Sequence, residues 1–169
     1  MNNDILSAFP AGSVTLHGRL GKAIRLTTEN RLRKVDYGKL VRSFRNHEDG
    51  DGFWRGEFWG KIVRSAIRIL QLHPDPDLDS KIRTTVRELC ACADADGTLS
   101  TYPPEKRFSS WDVWGRKYAL LGLCRYYRVI DADPHVLETI RRATAALIAA
   151  FPDGKRPGDG LPHDRVPPH

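Results

Sequence analysis

Cysteine is scarce in this sequence: Cys90, Cys92 and Cys124 are the whole set among 169 residues. An odd, sparse set excludes a disulfide scaffold and fits a reducing, cytoplasmic setting. Cys90 and Cys92 stand two apart on a helical stretch and point in different directions, a poor metal pair. Cys124 lies inside an apolar run, as a small core residue would. The six histidines are scattered without ligand spacing, so neither a metal nor another cofactor is expected. Long apolar runs are missing too; none approaches the roughly 20 residues of a membrane span, and no membrane partner is expected. The opening MNNDILSAFPAGS lacks the basic-then-apolar order of a signal peptide. Walker loop, dinucleotide fingerprint and GxSxG elbow are all absent.

A focused basic patch is also lacking. The net charge is +6, with 9 basic against 5 acidic residues over 1–50, 9 against 9 over 51–110, and 9 against 7 over 111–169. Nucleic-acid binders concentrate such an excess on one module. Here it is spread, so the charges read as solvated helix faces and no nucleic-acid partner is expected.

What the chain does have is a repeat. Asp75-Pro76 recurs as Asp133-Pro134 at an offset of 58, which also pairs Leu78 with Val136, Ile82 with Ile140, Arg83 with Arg141 and Leu89 with Leu147. A one-residue slip then pairs Asp96-Gly97 with Asp153-Gly154. Asp followed by Pro is a helix start, since Asp caps free amides and Pro tolerates the first helical position. Asp-Gly is expected to close each second helix with a positive φ. Each unit therefore reads as a helical hairpin, at about 57–93 and 111–150. In the second helices the apolar residues keep to one stripe, as in half-exposed helices. The first helices are apolar over a wider arc: Phe58, Trp59, Ile62, Val63, Ala66 and Ile67 in one, YALLGLC in the other. Alternating wide and narrow apolar faces describe inner and outer rings. The expected fold is all-α, an α/α hairpin array forming an incomplete (α/α)6 toroid. Upstream, residues 20–35 read as a helix, 35–44 as a short further turn, SVTLHG as strand or extended chain, and RNHEDGDG as a loop.

The repeat gives the aromatic residues a place. Trp54, Glu57 and Phe58 begin the first inner helix, while Trp111, Asp112 and Trp114 begin the second. Parallel inner helices bring both starts to one rim, joined by DGTLSTYPPEKRFSS with Tyr102. Indole faces cover the C–H face of a sugar and carboxylates accept from its hydroxyls. Trp54, Glu57, Tyr102, Asp112 and Trp114 are thus the candidate carbohydrate-binding residues. Structural roles stand beside that reading. Trp59, aligned with Ile62 and Val63, is expected in the core; Trp54 and Trp114 suit wall or core equally. Asp112 suits the helix dipole, and Glu57 suits the dipole or an i,i+4 pair with Lys61.

WRGEFWGK, ADADGTLSTY and WDVWGRKYALLGL, so spaced, resemble glycoside hydrolase family 127, the β-L-arabinofuranosidase-like group of (α/α)6-barrel proteins. VDYGKLVRSFR is similar to a segment of its bacterial relatives. The resemblance covers about residues 12 to 155 and implies the N-terminal part of a catalytic barrel. Where characterised members carry a histidine-containing HELY-type motif, this chain reads WDVW. Asp112 stands in place of the family's Glu and Tyr118 in place of a downstream histidine. Arabinofuranoside specificity is therefore not carried over. The family's cysteine nucleophile, zinc-binding cysteines and acid/base glutamate lie later in the barrel. Cys90, Cys92 and Cys124 match none of them, so no catalytic residue is assigned.

Six hairpins of this repeat need roughly 350 residues. The chain offers two clear hairpins and part of another, then PDGKRPGDGLPHDRVPPH, with five prolines in 18 residues. Residues 1–151 are expected to form a partial glycoside hydrolase-like domain and 152–169 a disordered tail. The functional expectation is a truncated domain, inactive alone, with a rim for plant or microbial glycan. Its intact parent would hydrolyse glycosidic bonds in polysaccharide breakdown. The alternative is a non-catalytic interaction module that associates with itself or with a missing C-terminal half.

Overall fold

The computed structural model describes Pro10, residues 12–50 and residues 52–151. Among these there are six α-helices and no strand: α1 (Gly18–Asn30), α2 (Tyr37–Asn46), α3 (Gly56–Leu72), α4 (Pro76–Cys90), α5 (Asp112–Val129) and α6 (Pro134–Ala150). Among the described residues, no helix is long and apolar enough to cross a membrane. The Pro/Gly-rich tail and Asp153-Gly154 lie outside the described residues.

The helix starts follow from their caps. The Asp75 carboxylate accepts from the Leu78 amide at 3.1 Å, and Asp133 accepts from His135 at 2.8 Å, each just ahead of a proline in the first turn. Asp36 does the same for α2 through the Lys39 amide at 2.9 Å. Such caps are each worth about 1 kcal/mol. Three details differ from the sequence reading. The helix read at 20–35 breaks at Arg31 into a 3-10 turn, Leu32–Lys34. The short turn read at 35–44 is a ten-residue helix that ends when His47 takes a left-handed conformation, φ +49°. Asp96-Gly97 does not close α4, which ends at Cys90. It forms a separate turn in which the Gly97 amide donates to the Asp94 carbonyl at 2.8 Å, with Gly97 at φ +88°. A Cβ there would also meet Cβ of Arg142 at 2.8 Å.

The helices pack in two layers. Helix α3 lies between α1 and α5 in one, and α4 lies between α2 and α6 in the other; α2, α3, α4, α5 and α6 also touch across the layers. The core sits between the layers. Val41, Phe44, Trp59, Val63, Ile67, Ile82, Val86 and Leu123 are all buried, each side chain contributing roughly 1.5–3 kcal/mol by leaving water. The array is thus an arc of α/α hairpins, part of an (α/α)6 toroid.

Helices α3 and α5 are side by side and parallel, because their contacts advance together. Gly56 lies against Gly115, Gly60 against Tyr118 and Ala119, and Gln71 bonds Arg125. The approach is backbone to backbone. A Cβ on Gly60 would fall on the Tyr118 carbonyl, and one on Gly122 would meet the Trp59 ring at 2.6 Å. Glycine is what lets two inner helices start from one mouth.

Candidate functional site

At that mouth stands a chain of rings. Trp54 meets Trp111 edge to face at 6.4 Å, Trp111 meets Trp114 at 6.1 Å, and Trp114 meets Tyr118 at 5.2 Å. Trp54 and Trp114 keep 48% and 38% of their surface exposed, enough to meet a ligand. Glu57 joins the two helices by accepting from the indole N–H of Trp114 and from Lys61 Nζ at 2.7 Å. Burial pushes the Glu57 carboxyl up, but the bonds from Lys61 and Trp114 and the charges of Lys61 and Lys117 outweigh it. The group is held below the ordinary carboxylate range and is ionised at neutral pH. Lys117 lies over the Trp114 ring at 3.4 Å and also reaches Tyr118 at 4.6 Å.

Tyr102 and Asp112 sit beneath this surface. Tyr102 is 1% exposed; its hydroxyl donates to the Phe53 carbonyl and accepts from the Trp111 amide at 3.4 Å, holding one end of each aromatic segment. Asp112, also 1% exposed, accepts from Ser100 Oγ at 2.5 Å, the Phe108 amide at 2.8 Å and Arg116 Nε at 3.0 Å. Its oxygens are engaged by the protein itself. The bond to Phe108 matters locally, since that residue has φ +62°, unusual for a bulky side chain. Arg116 lies 4.5 Å over the Phe108 ring and completes the clamp. Trp59, in the first turn of α3, is wholly buried and donates to Thr85 Oγ1 at 2.9 Å, so it belongs to the core.

The structure adds Asp49, which sequence reasoning left in a loop. It is 3% exposed and accepts from the Arg55 amide at 3.1 Å, Arg55 Nε at 2.5 Å and Thr101 Oγ1 at 2.8 Å. This acid ties the segment before α3 to the loop before α5. Its one sequence signal was an acid six residues ahead of an arginine in a Gly-rich stretch, too common to select. A clearer signal was present for Asp112. Glu57-Phe58-Trp59-Gly60-Lys61 and Asp112-Val113-Trp114-Gly115-Arg116 share acid, Trp-Gly and base at the same spacing. The base closes on the acid in both, at 2.7 and 2.8 Å.

The cysteines present do not fit the zinc that the family likeness implies. Cys90 is buried, and Cys92 Sγ donates to the Glu88 carbonyl at 3.2 Å. Burial pushes all three thiols up, which keeps them protonated. Among the described residues, no three His, Cys, Asp or Glu are placed to hold a metal.

Three comparisons bear on this geometry. The family model for the beta-L-arabinofuranosidase GH127 catalytic domain matches residues 19–154. The crystal structure of Ara127N, a GH127 beta-L-arabinofuranosidase from Geobacillus stearothermophilus T6, matches with a TM-score of 0.57 at 15% identity. The match covers 79% of this chain and 23% of that one, so the likeness is of fold and spans under a quarter of the enzyme. No curated protein matches the sequence.

Proposed function

This chain belongs to the GH127 beta-L-arabinofuranosidase catalytic-domain family, and from that premise we propose that the mouth shared by α3 and α5 is a carbohydrate-binding rim. The observation that supports this most is the junction of Glu57 with Trp114, an ionised carboxylate beside a run of partly exposed rings. Trp54 and Trp114 offer faces for the C–H side of a sugar, and Glu57 accepts from its hydroxyls. Held below the ordinary range, Glu57 is an acceptor and not a proton donor, which suits binding better than acid catalysis. Tyr102 and Asp112 serve the rim from behind, fixing Trp111, Phe53 and the loop before α5. On this reading the rim holds plant or microbial glycan for a domain whose family acts on glycosidic bonds, and the rim itself supplies binding and not cleavage.

Lys117 must swing off Trp114 for a sugar to stack there. Calorimetric titration with arabino-oligosaccharides is the test. Trp114→Ala is expected to weaken binding about tenfold, the equivalent of about 1.4 kcal/mol, and Lys117→Ala to leave it equal or tighter. Binding unchanged in both Trp54→Ala and Trp114→Ala sinks the proposal.

A second reading has its own observation. Leu20 and Leu26 on α1 are 69% and 46% exposed, and Ile148 on α6 is 67% exposed. These helices are the two ends of the arc, and apolar side chains left open there favour association with a second copy or with further hairpins. Concentration-dependent mass by light scattering supports this reading; a monomer at every concentration removes it.

A further inference from the structure

Beyond the aromatic rim, the groove between α3 and α5 turns strongly basic. A cleft of about 410 Å³ opens at Tyr118, the last ring of the aromatic run, and is lined by Lys61, Arg64, Ser65, Arg68 and Tyr118. From Lys61 to Arg68 it follows α3 for about 10 Å. Arg125 of α5 adjoins it, donating through one terminal nitrogen to Gln71 Oε1 while its buried Nε has no partner. Burial first, then the charges of Arg68, Arg128 and Arg64, disfavour the charged form of Arg125. Among the described residues, Arg64, Arg68, Arg125 and Arg128 make no ion pair; the one acid in ion-pair contact with the cleft lining is Glu57, on Lys61. Elsewhere Arg33, Arg42, Arg55, Arg83, Arg107 and Arg116 each hold a carboxylate. Four guanidiniums without an ion pair beside one cleft offer an anion several donors, and planar guanidinium forks fit a carboxylate in two-point fashion.

We propose that this cleft receives the carboxylate of an acidic sugar, a uronic acid unit, while the neighbouring unit of the same glycan stacks on the rim. The proposal rests on the carbohydrate reading of that rim and narrows it to acidic glycans. Tyr118 belongs to both parts and is the step from ring stacking to charge recognition. Arg68 and Arg125 take the carboxylate; Lys61 stays with Glu57.

The test titrates the full chain with tetragalacturonate, with its fully methyl-esterified form, and with a polyglutamate peptide of equal charge. The acid is expected to bind at least about tenfold tighter than its ester, the effect of one lost charge-assisted hydrogen bond. Added salt is expected to erase that margin. Arg68→Gln, at a side chain exposed and without a partner, removes most of the preference and leaves the fold intact; Arg125→Gln removes the remainder. Equal affinity for acid and ester overturns the inference and leaves the rim standing. Binding of polyglutamate with neither sugar bound overturns the inference and assigns the cleft to an acidic protein segment. Failure of all three to bind overturns the inference, and arabino-oligosaccharide binding then decides the rim by itself.

Discussion

Helices α3 and α5 open with the same five-residue pattern, and the fold uses it in opposite ways. In α3 the tryptophan, Trp59, is core and the ion pair Glu57–Lys61 runs from a nearly buried carboxylate out to the surface, its side chains 10% and 43% exposed. In α5 the ion pair Asp112–Arg116 is enclosed at 0% and 3%, and the tryptophan, Trp114, turns to the surface. Local sequence is shared; the neighbours decide. Helix α4 supplies Thr85 for the Trp59 indole, whereas the loop before α5 supplies Ser100 and the Phe108 amide for Asp112. One copy of the pattern builds a surface and the other builds its foundation.

Removing the enclosed acid is the harshest way to break this division. Asp112→Asn leaves the Arg116 charge buried without its partner and is expected to cost about 3–5 kcal/mol in urea unfolding. Next comes the seam. Gly60→Ala drives a methyl group into the Tyr118 carbonyl and is expected to cost about 3 kcal/mol. Gly115→Ala places its Cβ 3.4 Å from Gly56, and the gain in helix propensity is expected to hold the change within about 1 kcal/mol. Equal costs at both positions would contradict the register of the two helices.

Acid titration acts on the outward copy. The Glu57 carboxyl is pushed up by burial but more strongly down by Lys61 and Trp114, and Asp75 is pushed up by burial but down by the Leu78 amide and Arg33. Both carboxyls therefore bind protons more readily in the unfolded chain than in the folded one. Their contribution to stability is complete above the ordinary carboxylate range, about pH 4, and is lost as pH falls through the lower folded values. The melting temperature is expected to hold steady from pH 7 to about 5 and then to fall, with Glu57→Gln flattening part of the descent. A melting temperature that rises below pH 4 would reverse the assignment. The smallest change is Glu57→Gln at neutral pH. With Lys61 in solvent, the pair is worth at most about 1 kcal/mol, while sugar affinity is expected to drop several-fold.

Much of the fold was legible because its signals are local. Asp-Pro starts and a 3.6-residue apolar period marked α4 and α6, and the wider apolar arcs marked α3 and α5 as the inner pair. Helix α2 was underread because it runs only ten residues, although Asp36 gave the cap. Exposure along the inner helices was harder. YALLGLC reads as buried on more than one side, yet Leu121 is 41% exposed. At the mouth, the acids and tryptophans could be gathered on one rim by sequence alone. Which acid faced outward could not, since that choice depends on Ser100 and Phe108, residues with no periodic signature.

The glycine seam has a consequence for how such a mouth can change over generations. With no side chains interposed between α3 and α5 at Gly56, Gly60 and Gly115, the gap between the two helix starts is set by main chain alone. Rings and charges at the lip can then be exchanged one by one while the frame keeps its dimensions, so new ligands become reachable by single substitutions that never disturb the fold.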